Sequence, residues 1–239
     1  MIDIYYAATP NGLKLKIFME ETGIEHRIVP VRLGKGEQFK PDFLAISPNN
    51  KIPALVDHAP VDGGAPIALF ESCAMLAYLG EKTGLFFPKA ARAQLEVKQW
   101  LMWQAAGLGP MAGQAGHFRA HAADKIAYAI DRYTKETARL YSVLDKRLQG
   151  RDFICGEYSV ADMAAYPWVV PHAGLGQNLS DFPDLNRWFE TISKRPAVLR
   201  AYEGVEDPYA AGAKPMSDEE REILFGRIQK STSREAKDR

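Results

Sequence analysis

The sequence predicts a small α/β unit followed by an all-helical unit, and three observations carry that prediction. Ile2 to Ala7 is short, β-prone and apolar at both phases; a helical apolar pattern follows, and His26 to Val31 is β-prone again. Strand, helix, strand marks a parallel pair joined by a crossover. Ala54-Leu55-Val56 and Ile67-Ala68-Leu69-Phe70 then read as two further strands, a hairpin around the turn at Asp62-Gly63-Gly64. From Ala91 onward the strand pattern is gone, and apolar residues recur at helical spacing almost without interruption.

Each element has a local reason. Thr9-Pro10-Asn11-Gly12 opens the first helix: Thr9 can cap it, and Pro10 suits a first position that needs no amide hydrogen. Leu13, Ile17 and Phe18 continue it to Gly23, a residue suited to the left-handed conformation that ends helices. Gly34-Lys35-Gly36-Glu37-Gln38 predicts a mobile loop, and Phe39 to Ile46 a short helix. Pro48 and Pro53 bracket a polar loop that delivers the third strand. Proline gives no hydrogen to a ladder, so Pro53 belongs at the start of that strand or in the turn before it. A cis Ile52–Pro53 bond would free the Ile52 backbone for an extended ligand, but X–Pro bonds are cis only ~5–6% of the time in folded proteins. The residues alone therefore favour trans.

The fourth strand runs into Glu71-Ser72, where Ser72 is expected to cap a helix over Cys73 to Lys82 that Gly84 ends. Leu85-Phe86-Phe87-Pro88 reads as a linker. A helix bearing Leu95, Trp100, Leu101 and Trp103 is expected to stop near Gly107-Leu108-Gly109-Pro110. Ile126 to Leu148 carries a stripe of Ile130, Tyr133, Thr137, Tyr141, Leu144 and Leu148. Ser159 with Asp162 three residues on predicts a capping box at another helix start. Pro183 to Arg195 and Ala197 to Tyr202 give two shorter helices. The tail from Gly204 is polar; it holds one capped segment, Ser217 with Glu220, and Ser231 to Arg239 is expected to be disordered.

Bulk properties exclude several function classes. The chain has 239 residues, with 30 basic and 30 acidic, so no net field favours nucleic acid or acidic lipid. No apolar run approaches the ~20 residues of a membrane helix, and the opening residues lack the pattern of a signal peptide. Cys73 and Cys155 are the two cysteines, far apart and in no metal-like spacing. That predicts a reducing cytoplasm, no disulfide framework and no metal.

Several motifs in this order resemble the glutathione transferases. Asn50-Lys51-Ile52-Pro53-Ala54-Leu55 resembles the family's cis-proline loop, Phe70-Glu71-Ser72 its fourth-strand corner, and Ser159-Val160-Ala161-Asp162 the capping box of its second domain. Thr9-Pro10-Asn11-Gly12, the Leu33 to Phe39 loop, Ser47 to Pro53 and Gly107-Leu108-Gly109-Pro110-Met111 are similar to the Nu class, bacterial glutathione-dependent disulfide-bond oxidoreductases. The resemblance covers roughly residues 1–205. It implies a thioredoxin-like domain over 1–84, a helical domain over 85–205 and a partly disordered extension over 206–239. It also implies a homodimer that takes glutathione, reduced or as its disulfide, as cosubstrate without a metal, and acts on small-molecule thiols and disulfides rather than on nucleic acid or membrane.

The same resemblance implies site residues. Pro53 would be cis, with Ile52 pairing to the cysteinyl backbone of glutathione. Glu71 would take the γ-glutamyl ammonium and Ser72 its carboxylate, at a helix N-terminus suited to an anion. Gln38 and Lys51 would hold the glycyl end, and Arg132 would reach a second glutathione, across the dimer in one version. Thr9 and Asn11 would donate hydrogen bonds to the thiolate. Each also has a plain structural reading: Thr9 and Ser72 as caps, Gln38 and Lys51 in an exposed loop, Arg132 on a helix surface. Tyr5 and Tyr6, candidates for a tyrosine-type enzyme, read as core, as does Cys73, and Cys155 reads as a structural residue in a loop before Gly156. With no cysteine at Thr9–Asn11, reducing thiols must come from bound glutathione. Trp103, Met111, His117, Phe118 and His172 either shape a second-substrate side or pack helices. A conjugating transferase or hydroperoxide peroxidase would share every binding residue. A glutathione-binding regulatory protein is the non-catalytic alternative.

Overall fold

The structure, a computed structural model, describes residues 1–207, 209–210 and 216–226; the disorder expected over Ser231 to Arg239 lies outside them. Strands β1 (Ile2–Tyr6), β2 (His26–Pro30), β3 (Ala54–Asp57) and β4 (Ile67–Leu69) form one sheet in the order β2-β1-β3-β4. β1 and β2 are parallel, and β3 runs antiparallel to both β1 and β4, with Ile4 opposite Leu55 and Leu55 opposite Leu69. Helix α1 (Pro10–Thr22) makes the crossover: the Thr9 hydroxyl accepts from the Gly12 amide at 3.2 Å, and Gly23 closes it at φ 65°. The Ile52–Pro53 bond is cis, as the resemblance implies.

Three local expectations are corrected. The Gly34–Gln38 stretch is not a mobile loop but two 3-10 turns, Leu33–Lys35 and Glu37–Phe39, before a short helix α2 (Pro41–Leu44). Glu37 clasps it, accepting from the Arg32 amide and guanidinium and from Lys40. Ser72 does not cap the next helix: α3 (Ser72–Thr83) starts on Ser72 itself, with Glu71 in the cap position and no side-chain cap. Glu71 stands at φ 71°, ψ 104°, a conformation that costs a non-glycine residue on the order of 1–3 kcal/mol.

The third correction concerns the helix expected to stop near Gly107–Pro110. Helix α4 (Ala91–Trp103) instead continues through a wide turn, Gln104–Leu108, into α5 (Gly109–Gly116) and a second wide turn, His117–His121. The chain tolerates Pro110 by lengthening the loop of the ladder: the Gly109 amide bonds back five residues to the Gln104 carbonyl. Gly109 packs closely there: a Cβ on it would stand 2.8 Å from the Gln104 side-chain nitrogen, which would have to shift.

Helices α6 (Ala127–Leu148), α7 (Val160–Ala165), α8 (Pro183–Ser193) and α9 (Pro196–Tyr202) complete the helical unit. The expected α6 stripe is buried at Thr137, Tyr141, Leu144 and Leu148. The Ser159–Asp162 capping box is formed, and the buried Asp162 carboxylate also accepts from the Ile154 amide and the Trp188 indole. One apolar core runs from the sheet through α1 and α3 into α7 and α8. Ion pairs from Glu21 to Arg195 and from Glu20 to Arg200 join α1 to the α8–α9 end. In the tail, α10 (Asp218–Arg221) has the expected Ser217–Glu220 capping box. Among the described residues, no helix is long and apolar enough to cross a membrane.

Candidate functional site

Between the sheet's loop end and helices α4–α5 lies a cleft with two lobes, of about 720 Å³ and about 340 Å³. Asn11, Lys51, His117, Trp168, Leu224 and Phe225 border both. The larger lobe adds Glu71 and Ser72; the smaller adds Thr9, Gln38 and Ile52. Eight of the nine residues expected in the site are thus on this cleft or, for Pro53, in the cis bond that delivers Ile52. Arg132 is not on it: it lies on α6 and pairs with Glu136 at 3.5 Å.

At the β1–α1 corner, hydrogen-bond chemistry sets which atoms are left to donate. The Thr9 hydroxyl oxygen already accepts from Gly12 N–H, so its proton is left to donate. Asn11 Oδ1 accepts from the Trp168 indole N–H at 3.1 Å. An indole nitrogen only donates, so this contact fixes the amide, and the Asn11 Nδ2 is the group left to donate. Thr9 caps α1 and Asn11 sits in its first turn, where free amides and the dipole favour negative charge by about 0.3–1 kcal/mol. The corner can therefore stabilise an anion without itself carrying charge.

The β4–α3 corner presents Glu71 and Ser72 at the start of a twelve-residue helix. Behind it is Lys14, which the sequence reading passed over. Lys14 is 1% exposed, and its ammonium donates to Ser72 Oγ at 3.1 Å, to Gln104 Oε1 and to Cys73 Sγ at 3.8 Å. Burial pulls the Lys14 ammonium below the usual lysine range, with Cys73 and Glu71 opposing the shift. Burial pushes the Cys73 thiol up, so it is the S–H that donates, to Gln104 Oε1 at 3.2 Å. Gln104 is also 1% exposed, and its Nε2 has no hydrogen-bond partner among the described residues.

The loop between the corners is quieter. Gln38 is buried, and its Oε1 lacks a partner among the described residues. Ile52 stands just before the ladder, which begins at Ala54. At the mouth, the tail lies across the cleft. Arg221 donates to the His121 carbonyl at 3.2 Å, Glu220 packs on Gly34, and the Phe225 ring meets the His117 ring edge-on at 4.6 Å. Of the five second-substrate candidates, His117 borders the cleft. Phe118 instead stacks on Tyr133, and His172 packs on Phe189. Tyr5 packs on Phe43, and burial pushes the Tyr6 hydroxyl up to about 12, both consistent with core positions away from the cleft. Cys155 lies beside another depression, bordered by Phe87 and Tyr158, and burial pushes its thiol up to about 12.

Lys14, Gln104, Trp168, Leu224 and Phe225 are the residues that sequence reasoning missed. A signal existed for Lys14: it precedes Ile17 and Phe18 by three and four residues, which places it on the buried face of α1. The Gly107–Pro110 punctuation also flagged the segment beside Gln104, although as a stop.

Residues 8–82 match the family model described as the glutathione S-transferase N-terminal domain, and residues 108–196 match the glutathione S-transferase C-terminal domain. The chain is 52% identical over 202 residues to the disulfide-bond oxidoreductase YfcG of Escherichia coli (strain K12), spanning 84% of this chain and 94% of that protein. It is similar to a crystal structure of a glutathione transferase from Burkholderia graminis with two glutathione molecules bound per subunit: TM-score 0.82, 41% identity, 85% of this chain and 88% of that one. A glutathione transferase from Pseudomonas putida, with one glutathione disulfide bound per subunit, matches with a TM-score of 0.80 and 36% identity over 86% of this chain and 92% of that one.

Proposed function

The chain belongs to the glutathione S-transferase family, and from that membership we propose that it is a glutathione-dependent disulfide-bond oxidoreductase whose Thr9 and Asn11 stabilise the thiolate of bound glutathione. One observation carries the reading. At the β1–α1 corner the Thr9 oxygen accepts from Gly12 N–H and the Asn11 Oδ1 from the Trp168 indole, so each of these cleft-lining side chains is left with a donor to offer. A free thiol titrates near ~8.5, and a helix N-terminus with hydrogen-bond donors lowers that value. The likeness to an E. coli disulfide-bond oxidoreductase, and to structures holding two glutathiones or a glutathione disulfide, supports disulfides as substrates.

Glutathione lies along the cleft with its γ-glutamyl end at Glu71 and Ser72. Its cysteinyl backbone pairs with Ile52, beside the cis Pro53, and its glycyl end lies near Gln38 and Lys51. The thiolate attacks one sulfur of a small disulfide RSSR. A new S–S bond forms, the old one breaks, and RS⁻ leaves and takes a proton. A second glutathione thiolate then attacks the glutathionyl sulfur of the mixed disulfide and releases RSH, so two glutathiones and RSSR give glutathione disulfide and two RSH. Cys73 and Cys155 take no part: one is buried behind the γ-glutamyl corner, the other is remote. The reading includes a homodimer, in which Arg132 would serve the second glutathione across the interface. It also includes the domain division at 84 and 205 and a reducing, cytoplasmic setting that supplies glutathione.

The test runs reduction of bis(2-hydroxyethyl) disulfide by glutathione beside conjugation of 1-chloro-2,4-dinitrobenzene. Fast disulfide turnover with slow conjugation is expected. The reverse order would make the protein a conjugating transferase, and neither activity with glutathione binding intact would leave a binding protein.

A further inference from the structure

A buried lysine ordinarily needs a carboxylate beside it, because an uncompensated charge in the interior is costly. Lys14 has none among its hydrogen-bond partners, which are Ser72 Oγ, Gln104 Oε1 and Cys73 Sγ. These partners follow a pattern. Ammonium has three donors and no acceptor, so whatever it touches must accept. Ser72 Oγ accepts, and the Ser72 proton is left to donate elsewhere. Gln104 Oε1 accepts from both Lys14 and the Cys73 thiol, which fixes the orientation of the amide and leaves Nε2 as a buried donor with no partner among the described residues. Lys14, Ser72 and Gln104 all border the larger lobe of the cleft. The corner is therefore a buried cation beside a hydroxyl whose proton is left to donate, at the N-terminus of α3, with the Gln104 Nε2 buried against Gly109.

We infer that Lys14 is a positioning residue for the α-carboxylate of the γ-glutamyl group, aligning Ser72 O–H as its donor, held in place through Gln104, and supplying the charge that the carboxylate neutralises. This rests on the reading of Glu71 and Ser72 as the γ-glutamyl site. It explains why the cation is buried rather than solvated: away from water its field is weakly screened. Its hydrogen-bond partners are neutral, and the Glu71 carboxylate that acts on it from the same corner is the group read as taking the ligand's ammonium.

The experiment measures, by calorimetry on the full chain, binding of glutathione and of γ-aminobutyryl-cysteinyl-glycine, which lacks only the α-carboxylate. Wild type should prefer glutathione by at least tenfold. Lys14→Met should lose most of that preference, while its affinity for the carboxylate-free tripeptide changes by less than about threefold; a general packing defect would weaken both ligands alike. Lys14→Arg, which keeps charge and donors, should retain part of the preference. Should Lys14→Met not hold its fold, Lys14→Gln carries the same comparison. A neutral variant that keeps the wild-type preference would overturn the role of Lys14 and leave the γ-glutamyl reading standing. A wild type that binds the two tripeptides equally would overturn both.

Discussion

At the β1–α1 corner, Thr9 and Asn11 face the cleft with neutral donors behind them, the Gly12 amide and the Trp168 indole. At the β4–α3 corner, Ser72 faces the same cleft with the Lys14 ammonium behind it. The two corners share a device: a helix N-terminus whose polar side chain has its acceptor occupied from within, so that its hydrogen is left to donate. They differ in charge, and in the proposed reaction that difference follows what each must hold. The carboxylate of glutathione does not react, so a full buried charge can secure it. The thiolate must attack, and nucleophilicity falls as a thiol's pKa is lowered. Neutral donors lower the pKa of the thiol without pinning the sulfur under a cation.

The strongest way to break the contrast is to put charge at the neutral corner. In Asn11→Asp the indole still has an acceptor, but the remaining donor is replaced by a carboxylate that repels a thiolate. Disulfide turnover should fall about a hundredfold, some 2.7 kcal/mol in the barrier, against about tenfold for Asn11→Ala or Thr9→Ala, ~1.4 kcal/mol each. Steady-state rates at saturating glutathione give the order; an Asn11→Asp variant no worse than Asn11→Ala would dissolve the distinction.

Charge can also be removed from the other corner. Burial lowers the Lys14 pKa in the folded chain below its ordinary value. Between the lowered and the ordinary value the unfolded chain holds the proton more tightly, so this group makes the unliganded protein gain stability as pH rises through that window. Lys14→Met should flatten that rise and, at neutral pH, raise the melting temperature without ligand while reducing the increase that glutathione confers. Thermal denaturation across alkaline pH, with and without glutathione, reads both effects. A variant less stable than wild type at every pH would contradict the cost assigned to the buried charge.

The smallest effect belongs to Trp168→Phe. It removes the indole N–H that orients the Asn11 amide but keeps most of the aromatic volume. Turnover should drop a few-fold with little change in the KM for glutathione, since the orientation matters at the thiolate and not at the carboxylate.

The contrast also separates what the sequence could say from what it could not. The helix starts that hold Thr9, Asn11, Glu71 and Ser72 were legible because each sits in a short contiguous signal, where a proline or a strand end feeds a helix, while the roles expected of these residues came only from the resemblance. The cis Pro53 became legible only through the order of several motifs. What stands behind each corner was not legible. Lys14 reaches Gln104 across 90 positions, and Trp168 reaches Asn11 across 157, so no local spacing could pair them. The capping role expected of Ser72 was wrong for a related reason: Glu71 takes the cap position in a twisted backbone, which frees Ser72 to engage Lys14. Gly109 and Pro110 read as a helix stop, yet the helix absorbs them in a wide turn and brings Gln104 to the cleft.

The central claim, a glutathione thiolate stabilised by neutral donors at the first corner, is tested most directly by titrating the bound thiol through thiolate absorbance near 240 nm in wild type and in the Thr9→Ala/Asn11→Ala double variant. The account predicts a midpoint in wild type clearly below the ~8.5 of a free thiol, moving back toward it in the double variant while glutathione still binds. An unshifted midpoint in wild type, or one that the double variant leaves unchanged, would contradict it.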